Sequence, residues 1–294
     1  MACGSDPATT STTAPGSDDS TSAGTGSVTE SVGDPSTDSS TDPTTASSGP
    51  GESSSSSAAD QSTGDAAFNA HALHFDGVDG ELVVGPVADI LGPSFDAVTI
   101  SVWVRRDDAT AMTHGIVTLG NGSFTDTVFL FWSGEDDVPS LALYAGNGSV
   151  RAPIDPTLWH HVVATYDAAA PAPQVNLYVD GALAGSADAT LTHESAGDMF
   201  IGRFGETGLW LPGDLDELAL WETALGADEV AALHGDGVPT DLAIDGDGYA
   251  SAASLIAWWR MGDREGGVGD MIADEAGDAT AMRVGGTEFV DDVP

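Results

Sequence analysis

The stretch F-D-A-V-T-I-S-V-W-V-R at residues 95–105 decides the fold class. Thr99, Ser101 and Trp103 alternate with Ile100, Val102 and Val104, the period of two that a strand imposes by pointing successive side chains to opposite faces. Both faces carry apolar residues, as expected when one sheet packs on another and its back is partly covered. Outward from this strand runs a series of short β-branched and aromatic segments broken by Gly, Asp, Asn and Pro. Upstream they lie at 72–75 and 81–85; downstream at 115–119, 126–132, 140–144, 159–166, 174–179, 198–202 and 215–221. Asp180-Gly181, followed by A-L-A-G-S, is the strongest hairpin signal, and Asn121-Gly122 and Asn147-Gly148 read as further turns. One helix interrupts the series from Gly226 to Leu233, with Asp228 and Glu229 in its first turn and Gly235 as its stop. The pattern predicts an all-β, two-sheet antiparallel sandwich with one short helix.

Composition divides the chain near residue 67. Residues 1–66 hold 30 Ser or Thr and 10 acidic residues but no basic or aromatic one, too little apolar surface to offset ordering entropy. They read as a disordered acidic linker or stalk, and residues 67–294 as one domain. The whole chain has 47 Asp or Glu against 7 Arg, no Lys, and a formal charge of −40. Such a surface repels nucleic acid and anionic lipid, so neither is an expected partner. It also suits salty surroundings, where ionic strength screens self-repulsion. No run of 18 apolar residues is present to span a bilayer, and the single cysteine, Cys3, excludes an internal disulfide framework or a Cys-based zinc site.

Particular residues carry a family likeness. A-L-H-F-D-G at 72–77, E-L-V-V, then 95–105 resemble the opening of a laminin-G-like jelly roll of the concanavalin A-like lectin/glucanase group. L-W-H-H-V-V-A-T-Y-D at 158–167 resembles its central strand, and V-N-L-Y-V-D-G-A-L-A-G at 175–185 the hairpin that follows. G-D-L-D-E-L-A-L-W-E-T-A-L-G-A-D-E-V-A-A-L at 213–233 resembles its closing strand and helix, so the core motifs span 72–235. S-L-I-A-W-W-R-M-G-D at 254–263 and I-A-D-E-A-G at 272–277 are similar to the first strand and turn of such domains, displaced to the end. The tail therefore reads as a circular permutation in which strands within 254–285 complete the sandwich, since Trp258, Trp259, Ile256 and Met261 need burial.

Several residues invite chemistry. A glucanase of this fold uses a Glu-x-Asp-x-x-Glu strand motif; Asp214-Leu215-Asp216-Glu217-Leu218-Ala219 begins with Asp and ends in Ala, so the chain is read as non-catalytic. Adjacent His160 and His161 point to opposite faces of a strand and do not share one ion. The resemblance implies calcium instead, with Asp76, on the first-strand turn, and Asp216, on the closing strand, as metal ligands. Most of the seven tryptophans fall at core positions; Trp132, beside the loop 133–137, and Trp210 are the ligand-face candidates for stacking on sugar. Met1-Ala2-Cys3-Gly4 resembles the end of a bacterial lipobox, which makes Cys3 a candidate lipidation site and the chain a cell-surface or secreted protein, its leader either upstream of the assigned start or removed. The resulting expectation is a binding or adhesion module for a glycan or an extracellular protein. A divergent polysaccharide hydrolase and a purely structural envelope protein are the alternatives.

Overall fold

Sixteen strands and two short α-helices order the residues described by the structure, a computed structural model covering 68–120, 127–172, 174–191, 197–205 and 208–294. In chain order the first are β1 (Ala72–Asp76), β2 (Glu81–Pro86), α1 (Val87–Leu91), β3 (Ala97–Arg106), β4 (His114–Leu119), β5 (Val128–Ser133), β6 (Ser140–Ala145) and β7 (Gly148–Pro153). Then come β8 (His160–Asp167), β9 (Gln174–Val179), β10 (Ala182–Asp188), β11 (Asp198–Ile201), β12 (Pro212–Trp221) and α2 (Ala227–His234). The tail adds β13 (Leu255–Trp259), β14 (Met271–Ile272), β15 (Ala281–Val284) and β16 (Thr287–Val290). One antiparallel sheet runs β10-β9-β8-β3-β12-β1-β16, with β13 pairing the second half of β12; the other runs β14-β15-β2-β11-β4-β5-β6-β7.

The alternation of β3 is resolved as expected: Ile100, Val102 and Val104 enter the core between the sheets, facing Val117, Leu130, Trp132, Leu143 and Ile201. Its other face is covered too. Helix α2 and the segment after it lay Val230, Leu233, Leu242 and Tyr249 over Val163, Trp221 and Trp258 on the back of the first sheet. Trp221 Nε1 donates to Tyr249 Oη at 2.9 Å, and Tyr249 Oη donates to the Leu242 carbonyl at 3.0 Å, so the indole of Trp221 and the phenol of Tyr249 are both paired in this second core. Helix α2 begins where Glu229 accepts from the Gly226 amide and ends at Gly235, whose φ of 52° needs glycine.

The tail docks into both sheets. β13 and β16 extend the first sheet, β15 pairs with β2 in the second, and Trp259, Met261, Ile272 and Ala281 are fully buried. The Asp180-Gly181 hairpin joins β9 to β10 with both residues at positive φ. The turn between β6 and β7 is centred one residue earlier than expected, on Gly146-Asn147. Three elements escaped the sequence reading: α1 is too short to show a helical period, and β7 and β16 are too mixed in composition to read as strands. Asn121-Gly122, the linker 1–66 and Cys3 lie outside the described residues.

Candidate functional site

The sequence D-L-D-E at 214–217 crosses a β-bulge. Pairing between β12 and β3 shifts between Asp216 and Ala219, and Glu217 sits at a φ of 50°, a left-handed conformation that costs a non-glycine residue energy. The bulge buries two adjacent carboxyls. Glu217 Oε2 accepts from Trp258 Nε1 and Oε1 from Arg260 Nε at 3.1 Å. Arg260 also donates to Asp263 Oδ2 at 2.8 Å and to the Phe68 carbonyl, while Asp263 Oδ1 accepts the amides of Ala70 and His71, both at 2.8 Å. Asp216 Oδ1 takes only the next backbone amide, that of Glu217. Asn69 lies beside Asp216 and favours its ionised form. Yet neither side-chain amide atom of Asn69 nor Asp216 Oδ2 finds a partner in hydrogen-bonding geometry among the described residues.

Burial raises the Asp216 carboxyl well above its ordinary range, and the Glu217 charge adds to the rise. Burial likewise lifts Glu217 from 4.5 to about 7, even though Arg260 and Trp258 pull it down. A carboxyl raised on folding stabilises the fold fully below its unfolded value, and that stability is lost as pH rises through the folded one. His161 acts in the opposite sense. Burial depresses it to about 3, so its contribution is lost as pH falls below 6.5. The two effects oppose each other in the parent, and only a difference isolates Glu217. In chelator and high salt, the stability of Glu217→Gln relative to the parent should rise by on the order of 3 kcal/mol between pH 4.5 and pH 7.5. This comes on top of a pH-independent cost, because one amide group cannot accept from both Trp258 and Arg260. A gap between the two proteins that does not change with pH, measured by denaturant unfolding, would refute this.

A second arrangement lies on the outer face of the other sheet. Trp132 points inward and is fully buried, so it is no ligand-face residue; its neighbours Phe131 and Ser133 point out. Phe131, Ala142 and Arg151 form one cross-strand row over β5, β6 and β7. Half-buried Tyr144 stacks on Phe131 with centroids 5.7 Å apart. At the end of this face, Asp136, Val138, Ser140, Arg151 and Pro153 line an open cleft of about 300 Å³. Arg151 Nη1 binds Glu135 Oε2 at 2.7 Å and its Nη2 binds the Glu135 carbonyl at 2.9 Å, while its Nε is buried without a partner. Asp136 and Asp137, at φ of 59° and 57°, make this rim a strained acidic turn. The loop was legible beside Trp132, but the face it borders depends on the strand parity.

Trp210 is half-buried, and its carbonyl lies 2.6 Å from His114 Nδ1. The expected pair Asp76 and Asp216 does not meet. Asp76 pairs with Pro212, four positions from Asp216 along β12, a separation of about 13 Å. Asp76 Oδ1 accepts the amides of Val78, Asp79 and Gly80, and these bonds outweigh burial and hold its carboxyl below the usual range. Another acidic group does converge: His74, Asp107 and Asp214 each bring a ligand atom within 4.8 Å of the others, a spacing a metal could use. There, however, Asp214 already accepts from Arg105 Nε at 2.6 Å and faces His74 Nδ1 at 2.8 Å, so a guanidinium supplies the positive charge. At the bulge Arg260 serves Glu217 and Asp263, while Asp216 Oδ2 and both amide atoms of Asn69 stay without a partner among the described residues. Carboxylate and amide oxygens are the donors a hard cation such as calcium takes.

The family model for the concanavalin A-like lectin/glucanases superfamily, a laminin-G type, matches residues 76–231, just over half of the sequence. The chain belongs to this superfamily. Among solved structures it is similar to a proposed carbohydrate-binding protein from Bacteroides ovatus, at 19% identity and a TM-score of 0.57, over 77% of this chain and 61% of that one. It thus spans about three-fifths of that protein's length. It is also similar to a heptameric SAP-like pentraxin from Limulus polyphemus, at 13% identity and a TM-score of 0.45, over 73% of this chain and 95% of that one. A third similar structure is the CBM40 of a Ruminococcus gnavus sialidase bound to α2,3-sialyllactose, at 15% identity and a TM-score of 0.41, over 55% and 98%. At these identities the likeness is one of fold. No curated protein matches the sequence.

Proposed function

We propose that this lectin-fold chain is a non-catalytic glycan-binding module whose ligand lies in the cleft beside Arg151. The observation that carries the reading is the row on the outer face of the second sheet. Half-buried Tyr144, stacked on buried Phe131, offers an apolar ring for a sugar, and towards the end of the same face Arg151, Glu135 and Asp136 offer charged hydrogen-bonding groups for hydroxyls. The Glu135–Arg151 pair is a surface ion pair, worth about 0–1 kcal/mol to the fold. Arg151→Ala should therefore leave stability within about 1 kcal/mol of the parent. On an array of β-glucans, galactans and uronic-acid polymers, the same change, or Tyr144→Ala, should weaken the parent's binding at least tenfold. Hits that both variants bind like the parent would place the ligand elsewhere.

The rival reading, a hydrolase, would need two carboxyls flanking a substrate, roughly 5–5.5 Å apart in a retaining enzyme. Glu217 is buried and both its oxygens are engaged by Trp258 and Arg260, an arrangement that favours a structural role. Turnover of any array polymer that disappears in Glu217→Gln would reverse this reading. Calcium belongs to the proposal as a structural ion bound at Asp216, with Asp76 an independent turn residue. Cys3 is proposed as the lipid attachment point of a surface-tethered protein. No helix among the described residues is long and apolar enough to cross a membrane.

A further inference from the structure

We infer that helix α2 is an acid-released cover: protonation of His161 lifts it off the back of the first sheet while the sandwich stays folded. Three aromatic rings from three elements meet beneath it. Trp103 of β3 and His161 of β8 are cross-strand neighbours, with ring centroids 5.0 Å apart. His234, the last residue of α2, stacks over both, 5.6 Å from Trp103 and 5.9 Å from His161. The same turn of helix closes on the β9–β10 hairpin, where even a methyl group on Gly181 would press on Ala231 and His234. His161 is buried under this stack.

The seat suits a neutral imidazole and not a charged one. Facing His161 are Ser101 and Trp103 from β3, Asp180 from the hairpin and His234 from α2, while His160 lies on the opposite face of β8. Ser101 Oγ is 2.8 Å from His161 Nε2. Asp180, the carboxylate of this set, is already engaged: Oδ2 faces His160 Nδ1 at 2.8 Å, and Oδ1 accepts the His161 backbone amide at 3.0 Å. Burial, and then the second imidazole across the stack, hold His161 down to about 3. Lifting α2 returns His161 to water, where an imidazole titrates near 6.5. The open form then binds a proton that the closed form refuses, so acid favours opening from about pH 6.5 down towards 3. Helix α2 belongs to neither strand ladder and can leave without breaking a strand pair. Its departure uncovers Val163, Tyr178 and Trp221, an apolar face that neutral pH conceals.

The test follows amide exchange in the full chain from pH 7.5 to 4.5 at fixed high sodium chloride. Protection factors, which remove the intrinsic pH dependence of exchange, should fall about 100-fold at Val230, Leu233 and His234. Those at Ile100 and Val102 of β3 should hold level. Global unfolding also releases Glu217, whose opposite pH dependence offsets that of His161. Level helix protection, or an equal fall in β3, would overturn the cover. Glu229 is the rival titrating group on α2, since its carboxylate holds the Ala250 amide and the Ser251 hydroxyl. Glu229→Gln should keep the pH slope, whereas His161→Gln and His161→Phe, neutral at every pH, should lose most of it. A slope lost in Glu229→Gln, or kept in a folded His161 variant, would overturn the assignment to His161. Should neither His161 variant fold, the parent profile and the Glu229→Gln arm still decide.

Discussion

A chain ending at Pro239 should show no cooperative unfolding transition and should aggregate. The deletion removes β13, β14, β15 and β16, which leaves β1 and β2 each without one neighbour and exposes the second half of β12. It also strips Trp259, Met261 and Ile272 from the core, where each large apolar side chain contributes about 1.5–3 kcal/mol. Glu217 would lose both Trp258 and Arg260 and remain as a buried carboxyl without partners. Together these losses reach the total stability of an ordinary domain, about 5–15 kcal/mol. Calorimetry and sedimentation of the truncated protein are the measurements. A truncated chain that melts cooperatively at the parent's temperature would show that the tail is an accessory rather than part of the sandwich.

Arg260→Met should cost about 3–5 kcal/mol, the loss typical when one partner of a buried ion pair is removed and the other stays. The side chain joins Glu217 and Asp263 and lies over both Phe68 and Trp258, so the methionine recovers some packing but none of the charge. In melting temperature the loss is on the order of 10 °C for a domain of this size. The loss should shrink toward pH 4.5, because Glu217, raised to about 7 by burial, is then protonated and no longer needs the guanidinium. A drop below about 1 kcal/mol at pH 7.5 would mean that the cluster is solvated and that Arg260 behaves as a surface residue.

Much of the fold was legible because alternation, turn chemistry and helix caps are local. The strand at 97–106, the Asp180-Gly181 hairpin and the helix at 227–234 follow from side-chain period and backbone preference. The docking of the tail was legible too, since Trp258, Trp259, Ile256 and Met261 could not stay in water. The candidate sites were not legible to the same degree. In β5 both faces are apolar, so the sequence is silent on whether Trp132 or Phe131 faces out. Packing of Trp132 into the inter-sheet core decides that, and it brings Phe131 into a row with Arg151.

The acidic residues show the same division. Asp76 was recognisable as a turn residue, and its three backbone bonds follow from the local D-G-V-D-G sequence at 76–80. Its pairing with Asp216 failed because register is a property of two strands, and β1 meets β12 four residues away from that position. Nothing local marks Asn69 as the neighbour of Asp216 or Arg260 as the partner of Glu217, 43 residues away. By itself the sequence determined that this chain builds a two-sheet sandwich and that its tail is buried in it, because hydrophobic period and apolar excess are carried by neighbouring residues. Only the tertiary structure decided which carboxyls share a buried site and which face of β5 carries Trp132, because both depend on strand register, a bulge and contacts between distant segments.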